Sequence, residues 1–509
     1  MTSESRDVTG AARPRYVEPV SLSAVCEALG IPAATGQVTG VSLASTAVEP
    51  GDLYAALPGA RTHGARYAAD AVEAGAVAVL TDPDGARIIS ETRVPVLVVD
   101  GPRAVLGDVA ALVYDRPAAA MLTVGVTGTQ GKTTVTQLAE SALDAAGQTP
   151  AVVGTIGTRI AGQAVRTALT TPEAPALHAL FAAMKEQGVT ACAMEVSSHA
   201  LVQGRVDGIV FDVAVFLNLG RDHLDFHGTV EDYFTAKATL FTERRARRAV
   251  VNVGDPFGTR LADSTVLPVT TFSTTGAADW SVVRTDAGAS GTSATFAGPD
   301  GELDVEIPMP GAFNVENALA VVAALAAGGI DPRAAARGIA ASPGVPGRMQ
   351  RVDAGQDFQV VVDYAHKPDA LEAVLATLRP VTSGRLIVVV GAGGDRDTGK
   401  RPVMGEIAAR LADVVVVTDD NPRSEDAAEI RRAVLAGAEA AGTDADVRET
   451  GDRGAAISQA VSLARAGDCV LIAGKGHEQG QEVAGTVHPF DDVLQARAAL
   501  QALDGAGTR

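Results

Sequence analysis

The chain has 509 residues, 47% of them apolar, which is enough for several hydrophobic cores and more than one domain. Its formal net charge of −19 argues against a general nucleic-acid binder, while leaving room for a local basic pocket that holds an anionic metabolite. No apolar run of about 20 residues, the length needed to cross a membrane, occurs in it. The opening "MTSESRDVTGAARPRYVEP" carries no apolar signal region and reads as a disordered leader. Cys26, Cys192 and Cys469 lie far apart in apolar settings, the pattern of buried thiols in a reducing cytoplasm.

After the leader, "GDLYAALPG" and "AVAVLTD" read as strands and "HGARYAADAVEAG" as helix. A domain boundary is expected between Gly101 and Ala118. The stretch "TVGVTGTQGKTT" follows, from Thr123 to Thr134. Its β-branched start predicts a buried strand; Gly128 and Gly131 permit a tight turn whose amides face an anion. Lys132 adds a cation, Thr133 a hydroxyl within reach of Mg²⁺, and the residues from Val135 onward a helix whose N-terminus favours phosphate. The spacing is G-x-x-G-x-x-G-K-T, from Gly125 to Thr133, and differs from the commoner phosphate-loop pattern.

In "LTTPEAPAL", Thr171 is expected to cap a helix with Pro172 at its first position. "VTACAMEVSSH" places Glu195, Ser197, Ser198 and His199 after a strand, and "FDVAVFLNLGRDHLDFHG" does the same for Asn218, Asp222, His223, Asp225 and His227. Glu195 with His223 suits a divalent metal beside phosphates, against the plainer reading of a polar loop with capping aspartates. Lys237 falls in "TVEDYFTAKATLF", a helix capped by Thr229, where a lone lysine reads as a solvated surface group. A small antiparallel excursion is expected around Trp280 to Gly301. "PGAFNVENALAVVAALAAGG" reads as a helix with Asn314 and Asn317 at its start.

"ASPGVPGRMQRV" reads as a linker. Beyond it, "FQVVVDYAHKPDAL", "RLIVVVGAGGDRDTGKRP", "ADVVVVTDDNPRSED" and "DCVLIAGKGHEQG" are continuous apolar runs capped by charge or glycine. They predict an α/β fold with parallel sheets buried on both faces. Ligands of such sheets bind beyond the carboxyl ends of the strands, which marks Asp363, His366, Arg396, Asp420, Arg423, Lys475, His477 and Glu478.

"GTQGKTT", "EVSSHALVQGR", "NLGRDHLDFHG", "NVENALA", "DYAHKPDAL", "GGDRDTGKRP", "DDNPR" and "GKGHE" occur in one chain, in this order. Together they resemble the Mur ligases of peptidoglycan synthesis, over nearly the whole chain beyond the leader. The resemblance implies three domains: a UDP-substrate domain over 1–101, a central P-loop-type ATPase domain over 102–346 and a Rossmann-like amino-acid domain over 347–509. It implies a cytoplasmic, monomeric enzyme with small-molecule substrates, UDP-N-acetylmuramoyl-L-alanyl-D-glutamate and diaminopimelate, and no nucleic-acid partner or membrane insertion. ATP would phosphorylate the D-glutamate carboxylate, and the amine of diaminopimelate would displace phosphate from the acyl phosphate.

By that resemblance, Lys132 and the loop Gly125, Thr127, Gly128, Thr129, Gln130, Gly131, Thr133 and Thr134 hold the phosphates of ATP, with Asn317, Arg348 and Asp363 as further nucleotide contacts. Thr133 is implied beside one Mg²⁺, with Glu195 and His223 as ligands of a second. Lys237 matches the family lysine carbamylated by CO₂, which reverses its reading as a surface group. Ser45, Thr170, Thr171, Ser197, Gln203 and Arg205 match positions that bind the UDP substrate. Arg396, Asp420, Asn421, Pro422, Arg423, Gly474 and Glu478 match those around diaminopimelate. Two departures stand out. Gln130 replaces an asparagine common in relatives, and "VSLASTAVEP" has Ala44-Ser45-Thr46 where many relatives carry Asp-Ser-Arg. The alternatives are a lysine-adding ligase of the same family, a folylpolyglutamate synthase, or a non-enzymatic P-loop protein. "DDNPR" and the segment before the loop speak against the first two, and the C-terminal half against the third.

Overall fold

The computed structural model describes residues 13–89, 91–288 and 291–507. The leader expected at the N-terminus lies outside the described residues up to residue 12. From residue 13 the chain is held, contrary to that expectation. The Arg13 guanidinium forks onto Asp52, with both contacts at 2.9 Å, and donates to the Ala47 carbonyl at 3.0 Å. Asp52 is buried, so the arginine supplies the partner that a buried carboxylate requires.

Contacts divide the chain into two compact units. One holds Met1–Val283, Phe296–Leu303 and Glu316–Ile339, and the other Arg284–Thr295, Asp304–Val315 and Ala340–Arg509. The first unit opens with a parallel sheet in the order Gly40–Ser42, Asp52–Ala55, Ala78–Thr81, Val96–Val98. Its larger sheet runs Pro150–Gly154, Ala191–Glu195, Leu122–Thr127, Val213–Phe216, Ala249–Asn252, Val269–Ser273, all parallel. Val126 pairs with Glu195 on one side, and Thr127 with Phe216 on the other. The polar residues that follow these strands therefore emerge along one edge. Where a small antiparallel excursion is expected around Trp280 to Gly301, three consecutive strands, Trp280–Ala287, Thr292–Gly298 and Gly301–Ile307, continue the sheet.

The second unit has a parallel sheet in the order Gln359–Asp363, Cys469–Ala473, Leu386–Val390, Val414–Val417, Asp446–Glu449, with Gln350–Arg351 added antiparallel to the first. Its four central strands are almost wholly buried, because helices cover both faces. All three cysteines are buried free thiols. No described helix is long and apolar enough to cross a membrane.

Two local expectations need adjusting. The helix near Thr171 is Ala174–Glu186, with Glu173 rather than Thr171 at its N-cap. The Thr171 hydroxyl donates instead to the Glu195 carbonyl at 2.9 Å, a buried acceptor that outcompetes the cap. Thr229 does cap Val230–Ala238, accepting from the Asp232 amide at 3.0 Å.

The same helix Ala174–Glu186 buries His178 completely. Its Nε2–H donates to the Asp207 carbonyl at 3.0 Å, while Nδ1 is buried without a partner. Burial lowers its pKa to about 4, against the opposing pull of the carbonyl. The folded value lies below that of the unfolded chain, so the neutral ring stabilises the fold above pH ~6.5, and this is lost as pH falls toward ~4. The term is roughly 3 kcal/mol. Urea titrations of wild type and His178→Gln across that window should show the wild type losing stability more steeply. Parallel curves would contradict the buried neutral ring.

Candidate active site

Strand Leu122–Thr127 runs into a glycine loop and then helix Lys132–Ala145. Gly131 caps this helix at φ 87° with no side-chain cap, so the first-turn amides keep their anion-binding direction. A Cβ at Gly131 would lie 2.4 Å from Asn317 Oδ1, so glycine is required by both backbone and space. Asn317 is thereby placed against the loop. The amides of Thr129 and Gln130 donate to Asn218 Oδ1 at 3.1 and 2.9 Å. The sequence directs them at phosphate. Here the asparagine following the neighbouring strand supplies the acceptor these loop amides need. Gly125 also differs: it sits within the strand, and a Cβ there would approach the Phe211 ring to 3.0 Å. Its place in this structure is packing under the loop. Thr133 and Thr134 are buried in the first helical turn, and the Thr127 hydroxyl is buried without a partner at the loop's base.

Two lysines converge on one carbonyl. Lys132 Nζ donates to Gly128 O at 2.7 Å and to Thr129 O at 3.2 Å. Lys237 Nζ donates to the same Gly128 O at 2.9 Å. Lys237 is 1% exposed, so the plain expectation of a solvated helix lysine fails. Its nitrogen lies 4.5 Å from the Tyr233 ring centroid. Burial, and then the charge of Lys132, hold its pKa well below the usual lysine range.

Glu195 ends its strand fully buried. Its carboxylate accepts the Thr155 amide at 2.8 Å and the Thr155 hydroxyl at 3.1 Å. The Thr155 and Thr170 hydroxyls are 3.1 Å apart. Thr171 receives the Ser197 amide at 3.2 Å, and Ser197 caps helix Ser198–Val202. Arg205 donates to the Thr171 carbonyl at 3.2 Å and to Gln203 Oε1 at 2.6 Å, and pairs with Glu173 at 3.0 Å. Thus Thr170, Thr171, Ser197, Gln203 and Arg205 form one connected patch beside Glu195. Ser45 lies apart from these contacts, half-buried in the short turn Ser45–Ala47 that Arg13 braces.

His223 takes a left-handed backbone, φ 53°, and lies 3.3 Å from Asp222. Its ring meets His199 edge-on at 4.8 Å and Tyr233 edge-on at 6.1 Å. His223 and Lys237 therefore flank the same tyrosine. No group of three or more His, Cys, Asp or Glu able to hold a metal occurs among the described residues. Thr133, Glu195 and His223 offer a hydroxyl, a carboxylate and an imidazole, donors that suit a hard divalent cation. Lys237 as an ammonium would oppose that ion; as a carboxylated amine it would join the donors.

In the second unit, the carboxyl edge gathers a separate polar cluster. Asp363 is buried and accepts the Met349 and Ala365 amides at 2.7 and 2.8 Å. Burial raises its pKa, with Arg348 and these amides opposing. The Arg348 guanidinium stacks 4.4 Å from the Tyr364 ring, with Nη1 buried and unpartnered. His477 lies 5.1 Å from the same ring, and burial lowers its pKa to about 4. Gly347 and Gly476 pack back to back; a Cβ on Gly347 would meet the His477 amide at 2.2 Å.

Lys475 is fully buried between the turns "DDNPR" and "GKGHE". It donates to Asn421 Oδ1 at 2.8 Å and Glu478 Oε2 at 3.1 Å, with Asp420 at 3.6 Å. Gly474 must stay small, because a Cβ would meet Asp420 Oδ2 at 2.8 Å. Pro422 precedes Arg423, which takes φ 53°, donates to the Gly394 carbonyl at 2.6 Å and pairs with Glu482 at 3.4 Å. Arg396 is exposed. Arg453, singled out by no motif, forms a wholly buried ion pair with Asp492 at 2.7 Å. It stands at the start of a helix rather than after a strand, so the strand-end rule passes over it.

A parallel α/β sheet, a glycine loop feeding a helix without a side-chain cap, and a half-buried and a buried lysine at that loop define a phosphate-loop protein built for anionic substrates. Three family models match the chain: "Mur ligase family, catalytic domain" over residues 37–114, "Mur ligase middle domain" over 126–325, and "Mur ligase, glutamate ligase domain" over 347–476. The UDP-N-acetylmuramoyl-L-alanyl-D-glutamate–2,6-diaminopimelate ligase of Streptomyces avermitilis is 51% identical, covering 97% of this chain and 99% of that protein. A UDP-N-acetylmuramyl-tripeptide synthetase of Leifsonia xyli is 47% identical over 91% of this chain and 92% of its own. A solved UDP-N-acetylmuramoyl-L-alanyl-D-glutamate–2,6-diaminopimelate ligase superposes with a TM-score of 0.70 at 35% identity, covering 96% of this chain and 100% of that one. The chain belongs to the Mur ligase family.

Proposed function

We propose that this enzyme is an ATP-dependent ligase that adds diaminopimelate to UDP-N-acetylmuramoyl-L-alanyl-D-glutamate in the cytoplasm, acting as a monomer in peptidoglycan synthesis. The observation that carries the reading is the convergence of Lys132 and Lys237 on the Gly128 carbonyl, within the loop that precedes a helix without a side-chain cap. Lys132 supplies the cation suited to the β- and γ-phosphates of ATP, and Lys237 stands beside it as an amine whose charge burial and that neighbour suppress. The functional parts are residues 1–101 for the UDP substrate, 102–346 for ATP and 347–509 for the amino acid.

A carboxylate becomes an electrophile only when one oxygen is made a leaving group. Lys132 and the helix amides hold the phosphates and balance charge as the γ-phosphoryl group passes to the D-glutamate carboxylate. The patch of Thr170, Thr171, Ser197, Gln203 and Arg205 orients the UDP substrate, with Ser45 toward its nucleotide end. Asn317, Arg348 and Asp363 contact ATP. Thr133, Glu195, His223 and carbamylated Lys237 would hold Mg²⁺, which when bound neutralises charge on the phosphate oxygens. The lowered pKa of Lys237 favours the neutral amine that reacts with CO₂. Arg396, Asp420, Asn421, Pro422, Arg423, Gly474 and Glu478 receive diaminopimelate, whose amine displaces phosphate and forms the amide.

The test is ligation with purified protein, ATP and the UDP-muramoyl dipeptide, offering lysine and each diaminopimelate stereoisomer in turn. Phosphate release together with a product heavier by one diaminopimelate residue is expected. Product with lysine alone would move the assignment to the other branch of the family.

Arg423 is the cation best suited to the distal carboxylate of diaminopimelate, which lysine lacks. Full isolation of a buried charge would predict a penalty of about 2–5 kcal/mol for lysine. The structure lowers that figure, because Gly394 and Glu482 already partner this arginine. A charged hydrogen bond of about 1.5–3 kcal/mol gives roughly 10- to 150-fold preference. Arg423→Ala should erase most of it, read as the ratio of kcat/KM for the two amino acids. An unchanged ratio would assign the selectivity elsewhere.

A further inference from the structure

We propose that Lys475 is a positioning residue that sets the polarity of the amino-acid pocket by fixing Asn421 and Glu478. The proposal rests on the reading of the second unit as the amino-acid site. The Lys475 side chain is 0% exposed, so it reaches substrate through its neighbours or not at all. Three acceptors surround its three protons: Asn421 Oδ1 at 2.8 Å, Glu478 Oε2 at 3.1 Å and Asp420 Oδ1 at 3.6 Å.

The chemistry of these partners leaves one orientation for the Asn421 amide. Lysine is only a donor, and so is the Glu482 amide, which also points at Asn421 Oδ1 from 3.0 Å. The oxygen must face both, which turns the Asn421 NH₂ toward Glu478 Oε2 at 3.0 Å. Glu478 Oε2 thus collects two donors, while its side chain stays 33% exposed. Lys475 sits against two carboxylates, Asp420 and Glu478, of which Glu478 is the more exposed and so the one left to meet an incoming ammonium. Without Lys475 the two carboxylates would face each other with no cation between them, Glu478 Oε2 would lose one of its two donors, and the uncompensated negative charge would repel the carboxylate end of the substrate. The buried lysine therefore decides which end of a zwitterionic side chain fits.

The test compares wild type with Lys475→Met, which removes the charge at similar length, and Lys475→Gln, which keeps a neutral donor. Wild type is assayed first with diaminopimelate and with lysine. Failure of wild type to ligate either would overturn the amino-acid reading itself and not this residue's role. Given an active wild type, both variants should raise KM for diaminopimelate by roughly 10- to 100-fold, the loss expected of charged hydrogen bonds, with Lys475→Gln the milder. KM for ATP and for the UDP substrate should stay within about threefold, a margin far below the effect of a lost charged hydrogen bond. The preference for diaminopimelate over lysine should shrink in parallel. A uniform rise in all three KM values, an unchanged preference, or loss of a cooperative thermal transition in both variants would make Lys475 a residue of the fold and overturn the proposal.

Discussion

Replacing Lys237 by alanine is expected to cut ligation by at least ~100-fold, about 2.7 kcal/mol of transition-state stabilisation, while small carboxylates restore part of it. The amine is buried against the Gly128 carbonyl and the Tyr233 ring, and its pKa is held well below the lysine range by burial and by Lys132. A neutral amine is the form that adds CO₂, giving a carbamate and one proton. The product would put an anion at the phosphate loop where a neutral amine stood. Alanine at this position removes the carboxylate and leaves a small polar cavity that formate or acetate could enter. The checks are turnover with and without added carboxylate, and intact mass of wild type equilibrated with bicarbonate. Wild-type-like turnover in Lys237→Ala, or unmodified lysine in an enzyme active at saturating bicarbonate, would remove the carbamate from the account.

Much of this site is legible in the amino-acid sequence, because its signals are local. The glycine loop, the strand-end charges in "VSSH", "DDNPR" and "GKGHE", and the continuous apolar runs each follow from spacing that backbone geometry dictates. Burial of single polar residues is not legible in that way. Lys237 reads as an ordinary helix lysine, since no local pattern tells which helical face meets a loop more than 100 residues away in sequence; the bond to Gly128 spans 109 positions. Lys475 is marked by its place after a strand, but its three partners come from two turns folded together. Gly125 belongs to the phosphate loop by motif, although in the fold it lies within the strand, where a Cβ would come to 3.0 Å from the Phe211 ring. The Thr171 cap fails for a related reason: a carbonyl from another strand outcompetes the local hydrogen bond.

Lys132→Ala is expected to reduce kcat/KM by roughly 10²- to 10³-fold or more, the usual loss when a preorganised donor to developing charge is removed. The geometry adds a consequence that a motif alone would not predict. Lys132 and Lys237 share the Gly128 carbonyl, and the charge on Lys132 is one of the causes lowering the pKa of Lys237. Removing Lys132 should raise the pKa of Lys237, reduce its neutral fraction and so reduce carbamylation. One substitution then weakens both phosphate binding and the site proposed for Mg²⁺. The two lysines should be strongly non-additive: Lys132→Ala/Lys237→Ala should be little worse than the poorer single variant. The cycle is read from kcat/KM in the three variants and wild type, with intact mass reporting carbamylation in Lys132→Ala. Additive losses, with full carbamylation in Lys132→Ala, would show that the two lysines act independently despite their common carbonyl.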